Sequence, residues 1–438
     1  MKLKGFSVNG AGNLVLNGVD LVSLSRESER PIYVFNELLI RENLRLYQKA
    51  LSLFYPKSSS IFYASKAFLN LAMASLIKQE GVGIDVCSGG ELFIAQSAKI
   101  PSDKILMHGN NKSRRELQAA VEYGVKKIVV DNVEELALLQ HITASLKKEC
   151  SVLLRLNPGL DDIETHKYMV TGAKDSKFGF HVDRTKIAEI INDACSRGYI
   201  KFKGLHFHIG SNLQKVSFYE HALDKVFDFV VFLKEKGIEI EELNMGGGLG
   251  IAYQDHDPLP DIEKFIKTLS QKVIQLCEDK GIPLPHLMFE PGRSIVGPAG
   301  CTLYKIGSIK RGPNKILYAA VNGGMTDNLR PALYQAKHTA VLANRMNEPD
   351  SDQPYKIVGN CCETGDILIE NIHLPHCVEG DVLVIFSTGA YTHSMVNNYN
   401  KHLLPGVIFV RDRAYEWVSK EQTLQDLIRF DGLPEHLR

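Results

Sequence analysis

The 438-residue chain lacks net charge: 51 Lys and Arg stand against 51 Asp and Glu, a formal balance of +0. Nothing in that balance favours nucleic acid or an acidic membrane surface as a partner. No apolar run is long enough to span a membrane, and the start, Met1-Lys2-Leu3-Lys4-Gly5, has no apolar stretch of a signal peptide behind it. The 8 cysteines include no CxxC pair and no regular framework, and the adjacent Cys361-Cys362 are badly placed to bond each other. A reducing cytoplasm is the expected compartment. There is no low-complexity tract, no sequence repeat, and no GxGxxG followed by an acidic residue, so a dinucleotide is not expected. What remains, 44% hydrophobic and 23% charged residues, is ordinary for a soluble globular enzyme.

Eight short apolar runs each end in a polar or glycine cluster: Ile61–Lys66, Gly83–Ser88, Lys104–Gly109, Lys127–Asn132, Val152–Asn157, Gly204–Gly210, Leu243–Gly248 and His286–Arg293. Eight buried strands separated by helix-length segments predict a (β/α)8 TIM-like barrel over 31–293. Three-to-four-residue apolar spacing predicts helices at Leu39–Leu53, Ala67–Gln79, Gly90–Ala98, Ser113–Tyr123, Val133–Leu146 and Ser217–Glu235. Ser113 with Glu116 makes a capping-box start for one of them. After Arg293 the texture changes. Val296–Arg311, Lys315–Val321, Tyr355–Val358, Asp381–Phe386 and Gly406–Arg411 read as strands of a second, all-β domain over 294–438, sandwich- or barrel-like. Residues 1–30 read as a lead-in with one or two short strands that packs on the β domain. The polar stretch Asn347–Asp352 reads as an exposed loop.

In such barrels the chemistry lies at the C-terminal ends of the strands. A lysine at the inner end of a strand, Lys66, is expected to be desolvated, which frees its amine as a nucleophile; a surface lysine just past the strand is the plain alternative. The run Gly246-Gly247-Gly248-Leu249-Gly250 lets N–H groups converge on a phosphate, or is simply a tight turn. Glu290, in Glu290-Pro291-Gly292-Arg293, could hold a protonated ring nitrogen, as pyridoxal phosphate requires, or could pair with Arg293. His206 and His208 share a face of the sixth strand. A metal hydrolase would want further ligands on later strands, and those ends carry GGG and EPGR instead, so no metal is expected. His208 suits packing on a flat cofactor, and one of the two histidines can be a satisfied core residue. In the β domain, Cys361–Asp366 and Gly389-Ala390-Tyr391 form either an active-site rim or a turn.

Taken in order, FYASKA at 62–67, GIDVCSGGEL at 83–92, GNNK at 109–112, RLNPG at 155–159, THKYMVTG at 165–172 and KFGF at 177–180 are followed by LHFHIGS at 205–211, NMGGGLGI at 244–251 and EPGR at 290–293. GGMTDNLRPALY at 323–334, CCETGD at 361–366, GAY at 389–391 and NNYN at 397–400 complete the set. This series resembles the fold-type III pyridoxal-phosphate-dependent decarboxylases, with the alanine racemase-like barrel, from Pro31 to Pro405, and most of all the members acting on meso-diaminopimelate. The resemblance implies pyridoxal 5'-phosphate as cofactor, a small amino acid as substrate, and a homodimer with shared active sites. It places Lys66 at the position bonded to the cofactor and His208 on the ring face with Ser211 nearby. Gly248, Glu290, Gly292, Arg293 and Tyr391 fall on cofactor contacts. Arg293, Arg330, Tyr334, Glu363 and Tyr391 fall on substrate contacts, and Cys362 on the proton donor, with Cys362 and Glu363 entering from the partner subunit. Arg293 and Arg330 can hold a distal carboxylate and Glu363 a distal ammonium, which implies decarboxylation of meso-2,6-diaminopimelate to L-lysine; a decarboxylase of ornithine, lysine or another diamino acid is the alternative. A catalytically dead homologue should have lost Lys66, Glu290 or Cys362, and all three are present. The chain departs from the family pattern at Phe68, Asn212 and Asn322.

Overall fold

The computed structural model describes residues 4–160, 165–166, 169–173, 175–180, 184–196, 198–313 and 316–438, with Arg184 described by its backbone only. Lys167 and Tyr168 of the THKYMVTG stretch, and Lys315 at the start of one expected strand, lie outside the described residues. The chain divides into two compact units: 41–251 with 258–295, and 1–40 with 252–257 and 296–438.

The first unit is a closed barrel. Its strands, in chain order, are Ser59–Ala64, Gly83–Val86, Ile105–Met107, Lys127–Val130, Cys150–Arg155, Ile200–His206, Glu242–Asn244 and His286–Phe289. Each pairs in parallel with the next, and the eighth pairs with the first. Phe62, Leu106, Val129, Leu153 and Met288 form a buried cluster contributed by five different strands, as expected where alternate side chains of each strand point inward. The helices start where the sequence offers caps. Ser113 and Glu116 make the reciprocal capping box before Arg114–Tyr123, and the Asn132 side chain accepts from Glu135 N ahead of Val133–Leu146. All eight expected strands are present.

The second unit is built on a mixed sheet in the order Ile367–Ile372, Tyr355–Val358, Leu317–Val321, Gly300–Arg311, Ile32–Asn36, Gly406–Arg411, Ala414–Ser419. Val382–Phe386 pairs with both Gly300–Arg311 and Ala340–Leu342. The long strand Gly300–Arg311 shifts register between Ile306 and Ile309. Its first part pairs with Ile32–Asn36 and Val382–Phe386, its last part with Leu317–Val321. A separate buried cluster lies against each part. The lead-in forms three short strands, Phe6–Val8, Leu14–Leu16 and Val19–Asp20, and its Leu14, Leu16, Leu21 and Leu24 pack with Val34, Val384 and Ile408.

The expected boundary at Pro31 is corrected by this arrangement. Ile32–Asn36 is not barrel but a strand of the β unit, antiparallel to Gly300–Arg311 and parallel to Gly406–Arg411. All five of its residues are buried, and such a run reads the same in either kind of sheet. Residues 252–257 likewise belong to the β unit. At the other boundary, Arg293–Val296 is a short helix, so the strand expected from Val296 begins at Gly300.

Candidate active site

The first barrel strand stops at Ala64, and a 3-10 turn, Ser65–Ala67, carries Lys66. The Lys66 side chain is exposed. The expected desolvation of this amine is therefore not what the structure has; its surroundings act on it through charge. Lys66 lies close enough to Asp85, Cys87 and His208 to pull the titration of each downward. Asp85, near the end of the second strand, is 1% exposed. Burial pushes its carboxyl up to about 6, against the pull of His108 and with the push of Glu290.

Glu290 follows the eighth strand and is 6% exposed. Three side chains from three other strand ends converge on it. His108 Nε2 lies 2.7 Å from Oε1, Asn244 Nδ2 donates to Oε1 at 2.6 Å, and His206 Nε2 lies 3.1 Å from Oε2. Burial raises the Glu290 carboxyl, but the two histidines more than offset it and hold the group well below the usual carboxylate range. Burial in turn pushes His206 down to about 4, so it is neutral near pH 7. His108, His206 and Glu290 offer atoms within 4.8 Å of one another, a spacing that would also suit a metal. The 2.7 and 3.1 Å separations are hydrogen-bond lengths and account for the cluster without one.

His208, two residues past His206, is partly buried and is held well below its ordinary value by burial, then by Lys66 and Arg155. It is a neutral ring beside the lysine. Its Nδ1 makes no hydrogen bond among the described residues.

The glycine run follows the seventh strand. Gly246 O accepts from Glu290 N at 2.7 Å. A Cβ on Gly247 would run into the carbonyl of Glu290, and Gly248, at φ +117°, would meet the carbonyl of Gly210. Among the described residues the N–H groups of Gly247, Gly248 and the buried Gly292 donate to nothing. Arg293, 4% exposed, donates from Nη2 to Ser211 Oγ at 2.9 Å and reaches Met169 Sδ at 3.7 Å. It does not pair with Glu290.

The barrel unit thus brings together Lys66, His208, Ser211, Gly248, Glu290, Gly292 and Arg293. They fit pyridoxal phosphate: an amine for its aldehyde, unsatisfied N–H groups for its phosphate, a flat neutral ring, and a buried anion for a ring nitrogen. Asp85, His108 and Asn244 were not singled out from the sequence as site residues. Their signal was position, each being at or next to the end of a strand.

The remaining expected residues belong to the β unit. Arg330, 2% exposed, opens the short helix Arg330–Tyr334, and its guanidinium carbon lies 5.4 Å from the ring centroids of both Tyr253 and Tyr334. Cys362 and Glu363 are exposed; Cys362 N donates to Asn400 Oδ1 at 2.7 Å and Glu363 Oε1 accepts from Gly365 N at 3.3 Å. Tyr391 is half-buried with φ +59°, a left-handed backbone costly for a tyrosine. The three departures have structural uses. Phe68 is fully buried and its carbonyl accepts from Tyr63. Asn212 sits at φ +62°, a conformation that Asn tolerates. Asn322 accepts from Lys305 N and donates to Glu29 O.

Comparison with known proteins agrees with this geometry. The family described as pyridoxal-dependent decarboxylase, pyridoxal binding domain, matches residues 38–297. The chain is 40% identical to the diaminopimelate decarboxylase of Bacillus subtilis (strain 168), covering 97% of this chain and 96% of that one. It is 35% identical to that of Methanocaldococcus jannaschii over 97% and 96%. The crystal structure of the M. jannaschii enzyme in complex with L-lysine superposes with a TM-score of 0.93 at 35% identity, covering 100% of this chain and 99% of that one. A lysine/ornithine decarboxylase from Vibrio vulnificus, at 21% identity and a TM-score of 0.74, shares the fold.

Proposed function

The chain belongs to the pyridoxal-dependent decarboxylases, and from that premise we propose that it converts meso-2,6-diaminopimelate to L-lysine and carbon dioxide. The observation that carries this reading is the near-full-length likeness to diaminopimelate decarboxylases. The β unit also supplies Arg330 and Glu363, a cation and an anion for the distal carboxylate and ammonium. Ornithine has no distal carboxylate for the arginines to hold.

When bound, pyridoxal phosphate supplies an electron sink for the pair left behind by departing carbon dioxide. The chain's own residues do the rest. Lys66 would hold the cofactor's aldehyde carbon, and the N–H groups of Gly247, Gly248 and Gly292 its phosphate. Glu290, its carboxyl held well below the usual range by the two histidines, would keep a proton on the ring nitrogen, and neutral His208 would lie on the ring without competing for that proton. Arg293, anchored on Ser211, and Arg330 hold carboxylates. Cys362 delivers to carbon the proton that replaces carbon dioxide. In this reading Cys362, with Glu363, reaches the barrel of a second copy. Their exposure in the single chain supports that role. So does the exposure of the large apolar side chains Leu424, Ile428, Phe430 and Leu433 near the C-terminus. Among the described residues no helix is long and apolar enough to cross a membrane, and the cytoplasm is the proposed compartment.

Carbon dioxide release from meso-diaminopimelate and from ornithine, each with added pyridoxal phosphate, tests the proposal. Preference for diaminopimelate is expected. Preference for ornithine would overturn the roles given to Arg293 and Arg330.

A further inference from the structure

A carboxylate as buried as Glu290 would ordinarily take up a proton. Here the donors are divided between its two oxygens. Oε1 receives His108 at 2.7 Å and Asn244 at 2.6 Å; Oε2 receives His206 at 3.1 Å. Because His206 Nε2 faces a carboxylate oxygen, it carries the proton. Its Nδ1 has no partner among the described residues, so a second proton there would be buried without an acceptor. His206 is thus a fixed neutral donor.

His108 is placed differently. Its Nε2 also lies 3.7 Å from Asp85 Oδ1, and its ring meets that of His206 edge-on at 4.7 Å. It stands between two buried carboxylates, Asp85 on the second strand and Glu290 after the eighth, both strands being neighbours of the first. Without it, two like charges would face each other in a dry site, and one of them would have to protonate. The 2.7 Å bond is also in the short range of charge-assisted hydrogen bonds.

We propose that His108 is a positioning residue that, with His206 and Asn244 in support, holds Glu290 oriented and ionised for the cofactor's ring nitrogen. The inference rests on the pyridoxal phosphate reading above. His108 itself acts through Glu290.

The test is a double-mutant cycle on the full-length protein, read as pyridoxal phosphate affinity and as the visible absorbance band of the bound cofactor. His108→Leu should weaken cofactor binding by about 10- to 100-fold, the loss of one buried hydrogen bond to a charged group, and should shift the band. His108→Gln keeps an amide N–H within reach and should restore most of both. In a Glu290→Gln background, His108→Leu should change affinity by less than about threefold, because the charge it serves is gone. If the leucine variant does not fold, His108→Asn, polar but too short to reach Glu290, takes its place with the same expected loss. Wild-type affinity and spectrum in the leucine or asparagine variant would overturn the inference. So would an equal loss in both backgrounds, since that marks a purely structural role. Failure of the wild-type protein to bind pyridoxal phosphate would instead overturn the decarboxylase reading and this inference with it.

Discussion

Replacing Lys112 by Met should destabilise the barrel unit by about 3 kcal/mol, for reasons visible around its ammonium group. Its side chain is 1% exposed, and Nζ lies 2.8 Å from Oε1 of Glu135, itself 3% exposed. The same Nζ donates to the carbonyls of Gly109 at 2.6 Å and Val129 at 2.9 Å. Lys112 thereby fixes the turn that follows His108 to the fourth strand and to the helix Val133–Leu146. Breaking a buried ion pair on one side costs about 3–5 kcal/mol. The lower end applies here, because burial already pushes the Glu135 carboxyl from 4.5 up to about 7, so the orphaned acid escapes by taking a proton. In a unit of roughly 250 residues such a loss lowers the melting temperature by about 6 °C. A raised carboxyl means the folded chain binds the extra proton between pH 4.5 and about 7. Stability drawn from that proton fades as pH rises through the upper value, and the deficit of the variant should deepen there. The double variant Lys112→Met/Glu135→Leu should recover part of the loss but not all, since two carbonyls still lack a donor. Melting of the pyridoxal-phosphate-loaded protein at fixed cofactor and protein concentration is the assay. A single variant that melts within about 1 °C of wild type, or a double variant less stable than the single, would refute the reasoning.

Three further outcomes follow from the site. If Lys66 and Cys362 serve one reaction from two subunits, Lys66→Ala and Cys362→Ala should each be inactive, and unfolding and refolding them together should restore about one quarter of wild-type activity; a mixture as inactive as its parts argues for sites within one chain. Gly247→Ala drives a methyl group into the carbonyl of Glu290, so it should lower pyridoxal phosphate affinity at least about tenfold, with a melting loss of about 2–6 °C; unchanged affinity by titration would show that the turn gives way freely. His206 is pushed down from 6.5 to about 4 by burial, so the unfolded chain takes up a proton there first and stability is lost as pH falls through that window. His206→Gln should gain about 3 kcal/mol on wild type between pH 7 and pH 4, read by denaturant unfolding; parallel stability profiles would show that His206 does not titrate as its burial requires.

Local pattern carried much of the fold. The helices Val133–Leu146 and Ser217–Glu235 occupy the residues that their apolar spacing predicts, and Ser113 caps where its partner Glu116 said it would. What failed was long-range. Ile32–Asn36 reads like any buried strand, yet its partners lie at Gly300–Leu303 and Gly406–Val410, far along the chain. The helices Arg184–Ser196 and Ile262–Asp279 add to the six that the apolar spacing predicts. At the site, the sequence predicts a desolvated Lys66 whereas the structure leaves it exposed, because exposure depends on neighbours from other strands. The grip on Glu290 is the clearest case. His108, His206, Asn244 and Glu290 come from the third, sixth, seventh and eighth strand ends, and no spacing in the sequence says that closing the barrel sets the first three within 3.1 Å of the carboxylate of the last.

The glycine run shows why one motif could support two readings at once. A tight turn and the proposed phosphate cradle are compatible, since the turn leaves free the N–H groups that the cradle would use. Gly246 O takes the N–H of Glu290, and Gly247 has no Cβ to keep it from the Glu290 carbonyl, so the seventh and eighth strand ends lie against each other. That contact sets where the Glu290 backbone sits, and His108, His206 and Asn244 then fix its carboxylate. It also turns the N–H groups of Gly247 and Gly248 away from any acceptor among the described residues, which leaves them for an anion. On the proposed function, a side chain at Gly247 should therefore disturb both ends of the cofactor, its phosphate through the lost cradle and its ring nitrogen through a displaced Glu290. The HxH, GGG and EPGR segments act as one mechanical unit.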